Sequence, residues 1–249
     1  MSEIVSLWAA VTFYAVASCL YICGLVFKKE RLMSFATGFA ALGLVPHTVA
    51  IALRWIKAGH GPYLGAYEIS SALVWLAIIF FLIVQHRYAG MQAAGAIILP
   101  ISFLLMGVAI VASKEISEVS PALQSYWLII HVVFTKLAVA SFLIATGVSG
   151  LYLVKEKHSK SDTFYMRLPR LEFLDDLSYR FAAVGFIFFT IMITSGAIWA
   201  NKAWGRYWGW DPIETWSLIA WMVYAFLLHL RLNVGWRGRK AAWLTIVAL

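Results

Sequence analysis

The sequence predicts an all-α polytopic membrane protein, and three observations carry that prediction. Hydrophobic residues make up 62% of the 249-residue chain and charged residues only 13%, about half the charged share of a soluble domain. Seven apolar runs, near 4–27, 32–54, 69–85, 92–112, 125–154, 181–200 and 213–232, each approach the ~20 residues a helix needs to cross a hydrocarbon core. No polar stretch exceeds about 25 residues, and a soluble domain needs roughly 50 or more. Residues 1–249 therefore read as a single transmembrane domain.

The first run starts at Ile4 behind an acidic residue, Glu3, and no small-residue cleavage site bounds it, so it reads as a span and not as a cleavable signal. It holds the two cysteines, Cys19 and Cys23, four apart on one helix face, which suits packing better than thiol chemistry. The second run contains His47 and ends at Arg54, the fifth contains His131 and Lys136, and the seventh ends at His229 and Arg231. An eighth apolar stretch, 241–249, is too short to cross a bilayer and predicts a truncated eighth helix.

Charge sets the expected orientation. The pI near 9.5 would suit nucleic acid in a soluble chain, but the basic residues are distributed as a membrane protein distributes them. Lys28, Lys29, Arg31, Arg87, Lys155, Lys157, Lys160, Arg167, Arg170, Arg180, Arg231, Arg237, Arg239 and Lys240 fall in the odd-numbered loops, against Arg54, Lys57, Lys114, Lys202 and Arg206 in the even-numbered ones. By the positive-inside rule the first set is cytoplasmic, which puts the N-terminus outside and makes 155–180 the longest cytoplasmic loop. No nucleic-acid partner is expected; the bilayer is.

The most informative segment lies between the sixth and seventh runs: Trp204-Gly-Arg206-Tyr-Trp208-Gly-Trp210-Asp211-Pro-Ile-Glu214-Thr-Trp216. On the predicted topology it sits at the outer face. An interfacial aromatic belt accounts for one or two tryptophans per helix end. It does not account for glycines between indoles, whereas glycine lets a backbone approach a flat ligand. Asp211, Pro212 and Glu214 have the order of an N-cap, a first helical proline and a capping box, so Asp211 reads as a cap that orients the tryptophans. Arg206 is the better candidate for a ligand carboxylate.

Six histidines are present. His158 and His86 fall at the cytoplasmic side and His60 in an outer loop. His47, His131 and His229 fall inside spans, where a polar residue is a functional candidate. Beside a tryptophan platform, imidazole nitrogen is the ligand type that holds an iron-centred ring. Counting 1.5 Å per residue, His131 lies ~9 Å below the outer edge of its span, His229 ~24 Å below the outer start of its helix, and His47 ~10 Å below Arg54. Those depths do not suit one shared iron and predict two haem positions, or one route with stations near each face. Lys136, about two turns below His131, either meets a propionate or bonds to carbonyls.

Taken together, these residues resemble a known family. Trp204-Gly-x-Tyr-Trp-x-Trp-Asp-Pro-x-Glu-Thr-Trp, with the later Leu-His229-x-Arg231, is similar to the tryptophan-rich "WWD" signature of haem-handling proteins. It looks most like the CcsA (ResC) branch of system II cytochrome c biogenesis, which is related to CcmC and CcmF. Leu53-Arg54-Trp55, Gly59-His60-x-Pro62, Tyr67-Glu68, Leu168-Pro169, Leu174-Asp175 and Gly235-Trp236-Arg237-Gly238-Arg239-Lys240 extend the resemblance over nearly the whole chain. It implies a cytochrome c synthase (haem lyase) subunit in the bacterial cytoplasmic membrane, or in a thylakoid membrane. Such a subunit moves haem b outward with a CcsB/ResB-type partner and presents it to an apocytochrome c carrying Cys-x-x-Cys-His. By the same resemblance, His229 is the ligand of the inner haem and His131 one of two outer ligands. Two departures are visible: a second outer histidine beyond the Gly-Trp-Arg-Gly stretch is absent up to Leu249, and Tyr63-Leu64-Gly65-Ala66 stands where the family has a more polar stretch. A haem chaperone without ligation and a b-type electron-transfer cytochrome are the alternative readings.

Overall fold

Long apolar segments fold as helices because a hydrocarbon medium offers the backbone no partner but itself. The computed structural model describes residues 2–116, 119–158 and 163–249. Its helices, in chain order, are α1 (Glu3–Val26), α2 (Glu30–Ala58), α3 (Gly65–Arg87), α4 (Gly95–Val111), α5 (Tyr126–His158), α6 (Thr163–Arg167), α7 (Leu171–Trp204), α8 (Pro212–Leu232) and α9 (Arg239–Val247). Among the described residues, seven are long and apolar enough to cross a membrane: α1 to α5, with the 3-10 turn Met91–Ala94 leading into α4, then α7 and α8. These are the seven predicted runs. The short eighth segment folds as α9, nine residues long, against α5, α7 and α8.

Two elements are longer than the apolar runs suggest. The segment 155–180, expected as a loop, is largely helical: α5 continues to His158, α6 follows, and α7 begins at Leu171. Lys160 falls outside the described residues. At 34 residues, α7 is ~51 Å long, well beyond a ~30 Å hydrocarbon core. Helix direction alternates along the chain, so the starts of α1, α3, α5 and α8 share one end of the bundle with Trp204. We call this the tryptophan end. The opposite, basic end carries Lys28, Arg87, Lys155 and Arg231.

The helices group by contact. α1 packs on α2, α5 packs on α7, and α3 and α4 join the two pairs. The centre is α5, where every residue from Ala140 to Ser149 is buried, as expected of a helix surrounded on all sides. Small residues allow this: a Cβ added at Gly147 or Gly150 would stand 2.3 Å from Ile98 or Ile97 of α4. Gly43 does the same for α1, because a Cβ there would meet Tyr14 at 2.7 Å. With that room Tyr14 crosses to His47, whose Nδ1 lies 3.0 Å from the Tyr14 hydroxyl and whose Nε2 lies 3.0 Å from Ser71 Oγ. His47 is fully buried, so it ties α1, α2 and α3 together with both ring nitrogens engaged.

Polar ties also lock both ends. At the tryptophan end Arg54 donates from Nε to Glu68 at 2.9 Å and from its two terminal nitrogens to the carbonyls of Lys114 and Glu115 at 2.7 and 3.2 Å. At the basic end Lys155 donates to the carbonyls of Leu168 and Pro169 at 2.6 and 2.7 Å. There Asp175 also accepts from Arg231 and, at 2.8 Å, from the Gly238 amide.

Candidate functional site

At the tryptophan end, α5, α7, the 205–211 segment and α8 enclose a cleft of about 310 Å³, the lower end of the roughly 300–1,000 Å³ of small-molecule sites. α5 contributes His131 and Thr135. α7 contributes Met192, Ile193, Gly196, Trp199, Ala200 and Trp204. The segment contributes Tyr207, Trp208 and Asp211, and α8 contributes Ile213, Glu214 and Ser217.

Local chemistry fixes the segment. Gly205 ends α7 in the left-handed conformation, φ 74°, where L side chains are strained. Asp211 caps α8, its carboxylate accepting from the Glu214 amide at 2.9 Å, as the sequence predicts. The reciprocal half of the capping box is not made on Asp211. The Glu214 carboxylate reaches further back and accepts from the Gly209 amide at 2.6 Å, which pulls the segment over the start of α8. Between these two anchors Trp210 takes a positive φ of 57°, an uncommon state for a non-glycine residue. The Arg206 guanidinium lies on the Gly209 backbone, where an added Cβ would be 2.4 Å from Cζ. Glycine in this segment thus serves a turn and a close approach by arginine.

The predicted site residues separate into groups. Trp204, Trp208 and His131 line the cleft. Trp210 and Trp216 are 71% and 69% exposed and lie outside its lining, as does exposed Arg206. Lys136 donates to the carbonyl of Pro62, the second of its two expected arrangements. Arg54 is spent on Glu68 and two carbonyls. His60 has Nδ1 2.9 Å from the Gly61 carbonyl and stacks at a tilt on Tyr63, beside Arg54 and Glu68 in a separate small pocket. His47 sits in its three-helix tie. His229 is exposed near the end of α8, with the Asn233 amide 2.8 Å from Nδ1 and no partner for Nε2 among the described residues.

Sequence reasoning missed Trp199, which sits inside the sixth apolar run and reads there as a span residue. It forms a wall of the cleft, edge-on to Trp204 with centroids 4.8 Å apart. Its indole donates to the Ala122 carbonyl at 2.9 Å.

Two features bear on what the cleft could hold. His131 Nδ1 is 2.9 Å from the Met192 carbonyl. A carbonyl only accepts, so Nδ1 carries the proton and a neutral ring keeps its lone pair on Nε2. The buried Trp208 Nε1 has no hydrogen-bond partner among the described residues, and a buried donor of that kind calls for an acceptor. A nitrogen lone pair, indole walls and one unused donor suit a flat apolar ring with a metal at its centre and an acceptor at its edge.

The comparisons agree with the fold and the motif. The model of the family "Cytochrome C assembly protein" matches residues 63–249. The curated cytochrome c biogenesis protein CcsA of Guillardia theta is 35% identical, over 90% of this chain and 82% of its own length. That of Chlamydomonas reinhardtii is 40% identical over 78% of this chain and 57% of its own length. That of Synechococcus sp. (strain CC9902) is 36% identical over 81% and 75%. A solved structure, "Cytochrome c Heme Lyase CcmF", superposes with a TM-score of 0.73 over 99% of this chain and 45% of that one. At 15% identity it speaks to the fold alone. With the family model matched over most of its length and relatives above 30% identity, this multi-pass membrane chain belongs to the cytochrome c assembly protein family, among the CcsA cytochrome c biogenesis proteins.

Proposed function

We propose that the tryptophan cleft holds haem b at the outer face and presents it to an apocytochrome c bearing Cys-x-x-Cys-His, with the chain acting as the CcsA-type subunit of a cytochrome c synthase beside a CcsB/ResB-type partner. The observation that carries this reading is the His131 Nε2 lone pair in a cleft walled by Trp199, Trp204 and Trp208. His131 would ligate iron there, the indoles would grip the ring, and Trp208 Nε1 would donate to an acceptor at the ring edge. Exposed Arg206, in the chain between the cleft residues Trp204 and Tyr207, is suited to a propionate. Haem brings two vinyl groups, and addition of each cysteine S–H across a vinyl C=C gives a thioether with the hydrogen retained on carbon. What the chain contributes is position: a ring fixed against the indoles with one edge toward incoming thiols.

His229 lies three residues from the end of α8, whereas His131 is near the start of α5. Opposite ends of the bundle support separate inner and outer haem positions, and they count against the b-type electron carrier, which needs paired ligands at one depth. The outward-facing imidazole of His229 is suited to sharing iron with a partner subunit. The membrane we expect is the bacterial cytoplasmic or the thylakoid membrane.

The test is purification after haem-replete co-expression with the partner, followed by absorption spectra. His131→Ala and His229→Ala should each remove or convert a different haem population. Protein free of haem under those conditions would overturn the reading. Covalent haem in a co-expressed apocytochrome separates a synthase from a chaperone: bound haem without covalent product would favour delivery alone.

A further inference from the structure

We infer that Gly196 and the Met192 carbonyl of α7 are positioning elements that fix His131 as an Nε2 ligand. The inference rests on the haem reading above for its purpose, but its geometry stands apart from it. His131 crosses from α5 and places Nδ1 2.9 Å from the Met192 carbonyl. It does so only because residue 196 has no side chain. A Cβ there would stand 2.6 Å from Nδ1, 3.0 Å from Cε1 and 3.6 Å from Cγ of the ring. The imidazole lies against the bare backbone of α7, in the space an alanine methyl would take.

The consequence concerns which nitrogen is free. A histidine in water favours the tautomer with the proton on Nε2, which hides the lone pair needed for iron. In a protein the bond made by one ring nitrogen fixes the state of the other, and a metal-binding histidine commonly donates its second N–H to a carbonyl or carboxylate for this reason. Met192 supplies that acceptor. The Ser195 hydroxyl has one proton, and its shorter bond is to the Ile191 carbonyl at 2.6 Å, with Met192 at 3.0 Å, so the Met192 oxygen stays open to the imidazole. A methyl at 196 has one cheap escape, which is to tilt the ring off α7. Tilting breaks the bond to Met192 and releases the tautomer.

The experiment compares the intact chain with Gly196→Ala, His131→Gln and, as a helix-glycine control, Gly107→Ala, whose added Cβ meets nothing within 4 Å. Nitrogen-15 NMR of haem-free protein labelled at histidine reads the tautomer, with His131→Gln assigning the signal. The intact chain and Gly107→Ala should show the Nδ1–H form at His131, and Gly196→Ala should lose it. Haem b titration should show weaker binding at the His131-dependent position by roughly 10–100-fold in Gly196→Ala, the cost of losing an orienting partner of a metal ligand. An Nε2–H form in the intact chain, or an unchanged signal in Gly196→Ala, overturns the inference. If Gly196→Ala does not insert, the tautomer of the intact chain still decides it. If the intact chain binds no haem b at the His131 position, the haem reading fails while the NMR result stands.

Discussion

At the scale of the residue, Glu214 carries more than a helix cap requires. Its own amide is held by Asp211, and its carboxylate holds the Gly209 amide at 2.6 Å. The two bonds clamp Trp210 between fixed points and hold Trp208 just before the first of them, the two indoles edge-on with centroids 5.9 Å apart. A charge-assisted bond of this kind contributes about 1.5–3 kcal/mol. Glu214→Ala should therefore speed hydrogen exchange at Gly209 by roughly tenfold or more, since ~1.4 kcal/mol is a factor of ten. Asp211→Ala should cost about 1 kcal/mol and act on the α8 start instead. Equal effects of both variants at Gly209 would show that the turn is held by the cap and not by Glu214. The reach of Glu214 was not legible in the sequence. Asp-x-x-Glu looks the same whether the glutamate returns to the cap residue or goes two residues past it. What decides is the left-handed Trp210 between them, and nothing in the sequence marks a tryptophan for that conformation.

At the scale of the element, the parts least open to sequence reasoning are the polar residues that join helices. Arg54, His47 and Lys136 all look like ligand contacts when read one at a time, because a polar side chain in an apolar run has no visible partner. Their partners lie far along the chain: His47 meets Tyr14 33 positions away, Arg54 a carbonyl 61 positions away and Lys136 one 74 positions away, whereas His60, in a loop, bonds the adjacent Gly61. The apolar runs themselves were legible because helix formation in lipid depends on local composition alone. Arg54 is the clearest case of a structural tie. It bridges α2 to Glu68 of α3 and to the chain leaving α4, and Glu3 of α1 lies 3.8 Å away. Arg54→Met leaves Glu68, buried on every side, without its cation, which costs about 3–5 kcal/mol. Thermal unfolding in detergent should register that loss and proteolysis should find the 113–116 segment. Arg31→Met, exposed at the other end, should stay within about 0.5 kcal/mol. Equal melting of the two variants would refute the tie.

At the scale of the whole molecule, the bundle is unevenly finished, and the uneven side carries the residues of the proposed haem function. α5 is enclosed, while α8 buries little beyond Tyr224, Leu227, Leu230 and Arg231. Tyr224 stacks on Phe142 with centroids 3.6 Å apart, so α8 is pinned to α5 at mid-height and tied to α7 by Arg231 below. Its opposite face, through Trp216, Ile219, Met222, Phe226 and His229, is exposed from end to end. A helix held on one side and open on the other leaves His229 accessible at the basic end and the start of α8 free to wall the cleft at the tryptophan end, while the enclosed half keeps its shape. Which end faces out is an expectation drawn from charge, and it has a direct test. In a chain with Cys19 and Cys23 replaced by serine, Tyr207→Cys and Arg237→Cys place single thiols at exposed positions of the two ends. A membrane-impermeant thiol reagent applied to intact cells should label Tyr207→Cys at once, and Arg237→Cys only after the membrane is opened. The reverse pattern would turn the protein over. The tryptophan cleft would then face the cytoplasm, and presentation of haem to an outer apocytochrome would have to begin from the His229 end.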